Sequence, residues 1–223
     1  MLNFEKVRNQ MIKVKICGLT TESSVVHSVR CGASYIGFVF YKKSPRNINL
    51  NIASQLSKLI PSTVKKVGLF VDPTIGDLEK SITKISLDYI QLHGDETPDH
   101  VRRIRETFNI PIIKAIGISE ESDLEEIEKY EEICDQLLID TKPSPNMLLP
   151  GGNGAAFDWK LISNKRFTMP WFLAGGLNSS NVCEAIRVSG AKQVDVSSGV
   201  EISAGLKDNL RIADFINAVK KRV

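Results

Sequence analysis

Short runs rich in Val, Ile, Leu and Phe recur along the chain, separated by longer stretches in which apolar residues return at helical spacing. Eight runs stand out: KVKIC, YIGFVF, KKVGLFV, YIQLH, PIIKAIG, QLLID, WFLAGG and QVDVSS, whose starts lie about 22 to 35 residues apart. Such alternation predicts parallel strands joined by helices. The unequal spacing fits strand–helix units of variable length and not a solenoid of fixed period.

Cap signals place two of the helices. In SEESDLEEIEKY, Ser122 followed three residues later by Glu125 has the form of a capping box, and Asp123 adds negative charge where the helix dipole favours it, so a helix is expected to begin there. Near the end, Asp208 can cap NLRIADFINAVKKRV, in which Ile212, Phe215, Ile216 and Val219 form an inward stripe and the basic residues suit the C-terminal turn.

Eight strand–helix units predict an α/β fold, a (β/α)8 TIM barrel occupying residues 11–223 as a single domain, after a polar extension of residues 1–10. The alternative is a doubly wound open sheet. That fold needs no eighth strand and, when it binds dinucleotides, usually carries a G-x-G-x-x-G turn after its first strand, which this chain lacks.

Composition narrows the class further. At 223 residues, 42% hydrophobic and 25% charged, the chain is an ordinary globular one with enough length for a sizeable core. Its net charge of +3 arises from 29 basic and 26 acidic residues without a basic run, so neither nucleic acid nor a membrane surface is expected as a partner. No apolar run nears the roughly 18 residues that span a bilayer, and MLNFEKVRNQ lacks the apolar block of a signal peptide. The four cysteines are far apart with no C-x-x-C pair, which suits a reducing, cytoplasmic setting.

In a barrel of this type chemistry collects at the C-terminal ends of the strands. The distinctive residues fall there: Cys17-Gly18, Arg46, His93-Gly94, Asp140, Gly175-Gly176 and Ser197-Ser198-Gly199. Free cysteine usually behaves as a small buried hydrophobe. Cys31 and Cys183, in or beside predicted helices, fit that description, and Cys134 carries no special signal. Cys17 differs, because strand alternation puts it on the same face as Lys15 at the rim, where a nearby cation would favour the thiolate.

Asp140 ends an apolar strand before a Pro- and Gly-rich loop. It suits a loop hydrogen bond, or a carboxyl that keeps its proton in an apolar pocket and acts as a general acid. The glycine turns GGNG, AGGL and SSG follow successive strands, and the last two match the place where many barrels grip a phosphate, which points to a phosphorylated small-molecule substrate. Arg46 is either a solvated charge or a fork for a carboxylate, and His93 either a structural hydrogen-bonding group or a site residue. Lys15 and Asp195 are central in strands that become neighbours when the barrel closes, so they are expected to pair inside it.

Read in order, KICGLT, GFVF with SPR, GLFV, QLHG, IKAIGIS, LIDTK, GGNG with FDW, AGGLN and DVSSGVE resemble the motifs of the phosphoribosylanthranilate isomerase family of tryptophan biosynthesis, from Met11 almost to the C-terminus. The resemblance implies an Amadori rearrangement of N-(5-phosphoribosyl)anthranilate to 1-(2-carboxyphenylamino)-1-deoxyribulose 5-phosphate, performed without metal or organic cofactor; a monomer or homodimer is expected. It implies that Cys17 is the general base and Asp140 the general acid, and that Arg46 faces the anthranilate carboxylate. By the same resemblance Gly154, Gly175, Gly176, Ser198 and Gly199 grip the phosphate and Asp195 lies near the sugar hydroxyls, while His93, at the end of its strand, is expected among the substrate-binding residues. The loop PSPNMLLPGGNG looks longer than usual for the family, and residues 1–10 have no counterpart in it.

Two alternatives remain open on residues alone. A metal-dependent epimerase on the same fold would need a rim cluster of His and acidic ligands, and only three histidines, His27, His93 and His100, are present. A catalytically silent phosphate-binding barrel would keep the glycine turns and lose the acid or the base.

Overall fold

The computed structural model describes residues 11–143, 149–152, 154 and 156–221. The expected extension, residues 1–10, lies outside the described residues, as does the middle of the loop after Asp140. Eight parallel strands close into a barrel in chain order: β1 Lys13–Cys17, β2 Tyr35–Val39, β3 Lys65–Phe70, β4 Tyr89–Leu92, β5 Ile112–Ile118, β6 Gln136–Thr141, β7 Trp171–Leu173 and β8 Gln193–Val196. Closure is made by β1 against β8, with Lys15 level with Asp195.

The two-residue alternation of each strand sorts its side chains between two environments. On β1, Val14 and Ile16 join the core between barrel and helices, while Lys15 and Cys17 point to the inside. The interior is filled by Tyr35, Val67, Ile113, Leu138 and Phe172, with Tyr35 and Phe172 edge to face at 5.0 Å. This is a packed core and not a pore, so the only place for chemistry along the axis is its open rim.

Around the barrel run α1 Glu22–Cys31, α2 Leu50–Ser57, α3 Ile75–Lys84, α4 Pro98–Phe108, α5 Glu125–Glu128, α6 Val182–Ser189 and α7 Asn209–Lys221. Their starts are chemically marked: Thr21, Asn49, Thr74 and Thr97 each accept a first-turn backbone N–H. Asp208 caps α7 as expected, accepting from the N–H groups of Leu210 and Arg211. The α7 stripe of Ile212, Phe215, Ile216 and Val219 is buried, at about 1.5 to 3 kcal/mol for each large apolar side chain. Through it α7 packs on α1 and ties the last unit to the first.

Three of the connections that follow strands differ from the sequence expectation. After β5 the cap is not Ser122 with Glu125: Asp123 reaches back and accepts from Ser119 N–H and Oγ–H and from Glu120 N–H, at 2.8, 2.9 and 3.1 Å. A 3-10 turn, Glu121–Leu124, therefore precedes the single-turn α5. Burial pushes the Asp123 carboxyl up, but the Lys142 ammonium at 2.5 Å and those N–H and O–H donors outweigh it and hold the group at about 2. After β6 the chain makes only a 3-10 turn, Trp159–Ile162, among the described residues. The last crossover gains a 3-10 turn, Ser198–Val200, and a small hairpin of β9 Glu201–Ser203 and β10 Leu206–Lys207 before α7.

Candidate active site

Strand direction brings most of the sequence-selected residues to one pocket at the C-terminal rim, while Gly154 and Gly199 lie outside its lining. Cys17, Arg46, His93, Asp140, Gly175, Gly176, Asp195 and Ser198 all line it, alongside Val39, Leu69 and Leu177. Cys17 packs with Val39 and Leu69 and is 3% exposed, and Arg46 and Asp140 are 6% and 8% exposed. Apolar walls thus surround a few polar groups, the composition typical of a small-molecule site.

The thiol's surroundings correct one expectation. Lys15 and Asp195 pair inside the barrel as expected, Nζ to Oδ1 at 2.9 Å, and that carboxylate partly offsets the Lys15 charge beside Cys17. Burial is the largest influence on Cys17 and leaves its pKa above the ordinary thiol value, with Lys15 and Lys207 only partly opposing it. Lys15 itself is lowered by burial but raised more by Asp195 and Cys17, so it stays an ammonium.

Asp140 is held from two sides. Its Oδ1 accepts the Thr141 N–H at 2.7 Å, and its Oδ2 lies 3.3 Å from His93 Nε2. Gln91 Nε2 is 2.9 Å from His93 Nδ1. One ring nitrogen of His93 is thus tied to the Gln91 amide while the other faces the Asp140 carboxyl. His93 is therefore more than a wall of the pocket: it orients the candidate acid. The surroundings of Asp140 are correspondingly more polar than the apolar pocket expected from the strand QLLID.

Arg46 is not a solvated charge. Its Nε and Nη2 clasp Glu201 at 2.8 and 3.0 Å, and Nη2 also donates to Gly152 O at 3.1 Å. Nη1 remains directed toward the loop after β6, where a Cβ on Gly152 would meet it at 2.5 Å. At the other side of the pocket, the turns after β7 and β8 press together so closely that a Cβ on Gly199 would lie 1.9 Å from Leu177 O. Gly175 adopts a φ of +83° against Thr141, a conformation that side chains rarely tolerate. Gly154 sits beside Ser198, 3.8 Å from its Oγ by the same measure, so the three glycine turns converge.

Sequence reasoning passed over Glu201 and Lys207. Glu201 lay within the quoted string DVSSGVE, two residues past a rim glycine, but nothing local said that it would fold back onto Arg46. Lys207 carried no local signal at all. Two cysteines also differ from expectation: Cys31 is half-buried and Cys183 is exposed. The inward positions of α6 are Val182, Ala185, Ile186 and Ser189, which turns Cys183 to the outside. Cys134 is buried. Among the described residues no three His, Cys, Asp or Glu side chains gather as a metal site, and no helix is long and apolar enough to cross a membrane.

Fold and pocket together define a (β/α)8-barrel enzyme with a thiol and a carboxylate facing one rim pocket. Comparison with known proteins narrows this to a family. The family profile PRAI, N-(5'phosphoribosyl)anthranilate (PRA) isomerase, matches residues 14–218. N-(5'-phosphoribosyl)anthranilate isomerase of Paramagnetospirillum magneticum is 45% identical over 209 residues, covering 94% of this chain and 97% of that protein. The protein of the same name from Cereibacter sphaeroides is 47% identical over 209 residues, 94% of this chain and 99% of its own. The crystal structure of phosphoribosyl anthranilate isomerase from Thermotoga maritima superposes with a TM-score of 0.86 at 40% identity, covering 95% of this chain and 100% of that one. A phosphoribosyl anthranilate isomerase in complex with reduced 1-(o-carboxyphenylamino)-1-deoxyribulose 5-phosphate superposes with a TM-score of 0.83 at 39% identity, covering 95% and 100%. The chain belongs to the N-(5'-phosphoribosyl)anthranilate isomerase family, and its fold is that family's barrel.

Proposed function

We propose that this pocket converts N-(5-phosphoribosyl)anthranilate to 1-(2-carboxyphenylamino)-1-deoxyribulose 5-phosphate, an Amadori rearrangement in tryptophan biosynthesis, with Asp140 as general acid and Cys17 as general base. The observation that carries it is the meeting of thiol, carboxylate, arginine and glycine turns in one pocket of a chain of this family. Asp140 protonates the ribose ring oxygen as the C1–O bond breaks, and the anthranilate nitrogen lone pair takes up the developing charge as an iminium. The iminium acidifies the C2 proton, which the Cys17 thiolate removes to give an enolamine. Tautomerisation then moves a proton from the C2 hydroxyl to C1 and yields the ketone. The proton gained by Cys17 and the one lost by Asp140 are then exchanged with solvent, which returns both groups to their starting states.

Arg46 receives the anthranilate carboxylate through Nη1 and Nη2, with Gly152 O giving way. The turns holding Gly154, Gly175, Gly176, Ser198 and Gly199 take the phosphate by backbone N–H groups. Asp195, at the level of Lys15, faces the sugar hydroxyls, and His93 keeps Asp140 aimed at the ring oxygen. The free thiols suit a cytoplasmic setting, and the protein acts as a monomer or homodimer. Incubation with freshly generated phosphoribosylanthranilate tests the activity by loss of substrate fluorescence. Rapid decay to the carboxyphenylamino ketose is expected, and decay no faster than the spontaneous rate contradicts the assignment.

A further inference from the structure

Two buried charge clusters flank Cys17, and they do not balance alike. Lys15 on β1 and Asp195 on β8 form a closed pair with no surplus charge. The second cluster contains Arg46, Glu201 and Lys207, two cations and one anion, and so leaves one positive charge beside the thiol. Glu201 is saturated: Oε1 accepts from Arg46 Nε at 2.8 Å and Lys207 Nζ at 2.6 Å, and Oε2 accepts from Arg46 Nη2 at 3.0 Å and Gly205 N–H at 3.2 Å. The Lys207 side chain is 2% exposed.

The three contacts of Lys207 Nζ are all to acceptors. Beyond Glu201 it donates to Ser197 O at 3.0 Å and Ser197 Oγ at 3.2 Å, and Ser197 Oγ spends its own proton on Cys17 O at 3.2 Å. Three acceptors around one nitrogen are the pattern of an ammonium. A chain of contacts thus runs from the guanidinium through Glu201 and Lys207 to the Ser197 turn and the backbone of Cys17. Neither Glu201 nor Lys207 lines the pocket, so neither is in place to touch the substrate.

Resting on the assignment of Cys17 as base, we propose that Lys207 is a positioning residue: it couples the arginine that receives the substrate carboxylate to the Ser197 turn beside Cys17, and its charge favours the thiolate. Lys15, Asp195 and Lys207 act on Cys17 from β1, β8 and β10, while Arg46, His93 and Asp140 line the same pocket from the ends of β2, β4 and β6. Of the two lysines only Lys207 shares its anion with another cation. Burial, joined by the Arg46 charge, leaves the Lys207 pKa below the ordinary ammonium value, with Glu201 and the Cys17 thiolate opposing them only in part.

The test is the pH dependence of iodoacetamide alkylation at Cys17, followed on its own peptide by mass spectrometry in the full-length protein. Lys207→Gln keeps N–H donors for Ser197 and Glu201 but removes the charge, and Glu201 retains Arg46 and Gly205. Loss of a nearby cation disfavours the thiolate, so the alkylation profile should move to higher pH and the rate near neutrality should fall roughly five- to tenfold. Lys207→Arg should restore it. An unmoved profile in a folded Lys207→Gln protein overturns the proposal, as does failure of Lys207→Arg to restore the rate. If both Lys207→Gln and Lys207→Met fail to fold, Lys207 is structural and the proposal also falls. Alkylation reads the thiol itself, so the outcome stands apart from whether Cys17 is the base, which the turnover of Cys17→Ser decides.

Discussion

The two ends of the barrel handle buried polar groups in opposite ways. At the N-terminal end of the strands, Tyr35 donates to Gln193 Oε1 at 3.1 Å and Gln193 Nε2 donates to Gln136 Oε1 at 2.9 Å, so the groups satisfy one another. Tyr89 and Phe172 pack edge to face on Tyr35 above them. At the C-terminal end, the thiol, the Asp140 carboxylate and part of the Arg46 fork face a pocket instead. A network closed on itself contributes to stability, whereas polar groups held in a low-polarity pocket with capacity to spare are what a substrate can recruit. The same strands serve both, because their direction puts one set of ends at each face.

Substitutions at the two ends should therefore separate activity from stability. The largest effect is expected at Asp140: Asp140→Asn nearly conserves volume and can still accept the Thr141 N–H, yet turnover should drop by roughly 10² or more, the scale of a lost acid. Turnover within a few-fold of the wild type, at an unchanged melting temperature, would remove Asp140 from its role. Arg46→Lys preserves a charge beside Glu201 but gives up the planar fork, so KM should rise about tenfold, or ~1.4 kcal/mol, with a smaller change in kcat. A fall confined to kcat would show that Arg46 does not hold the carboxylate. At the opposite end, Gln193→Leu leaves the Tyr35 hydroxyl and the Gln136 amide without their partner and should cost about 1 to 3 kcal/mol of stability in denaturant unfolding. Below its melting point that variant should turn over within a few-fold of the wild type, and a large kinetic loss would break the contrast between the ends.

The fold was legible because parallel strands and helices write their periods locally. All eight apolar runs are barrel strands, and Asp208 with the α7 stripe behaves as its spacing implies. The rim residues were legible for a related reason: a residue at the end of a strand has its position in the barrel determined by the strand. Ser122 misled because side-chain reach competes within one turn, and Asp123 finds the Ser119 and Glu120 donors first. Cys183 misled because lying in a helix does not specify a face, and the burial pattern of α6 turns it outward. Glu201 and Lys207 were opaque for a deeper reason. Their partners, Arg46 and the Ser197 turn beside Cys17, are fixed only by closure of the barrel and the fold-back of the β9–β10 hairpin. The Lys15–Asp195 pair, by contrast, was legible from strand adjacency, and what the sequence hid was that burial outweighs Lys15 at the Cys17 thiol.

The central claim is that the thiol of Cys17 performs the proton abstraction. Cys17→Ser keeps the shape of the side chain while raising the pKa of its hydroxyl far above neutrality, so steady-state turnover of phosphoribosylanthranilate by that variant, with its fold verified by circular dichroism, is the most direct measurement. Turnover should fall by roughly 10² or more while affinity for a reduced product analogue stays close to that of the wild type. Near-normal turnover in the folded Cys17→Ser protein would contradict the claim and leave Cys17 a small side chain packed against Val39 and Leu69.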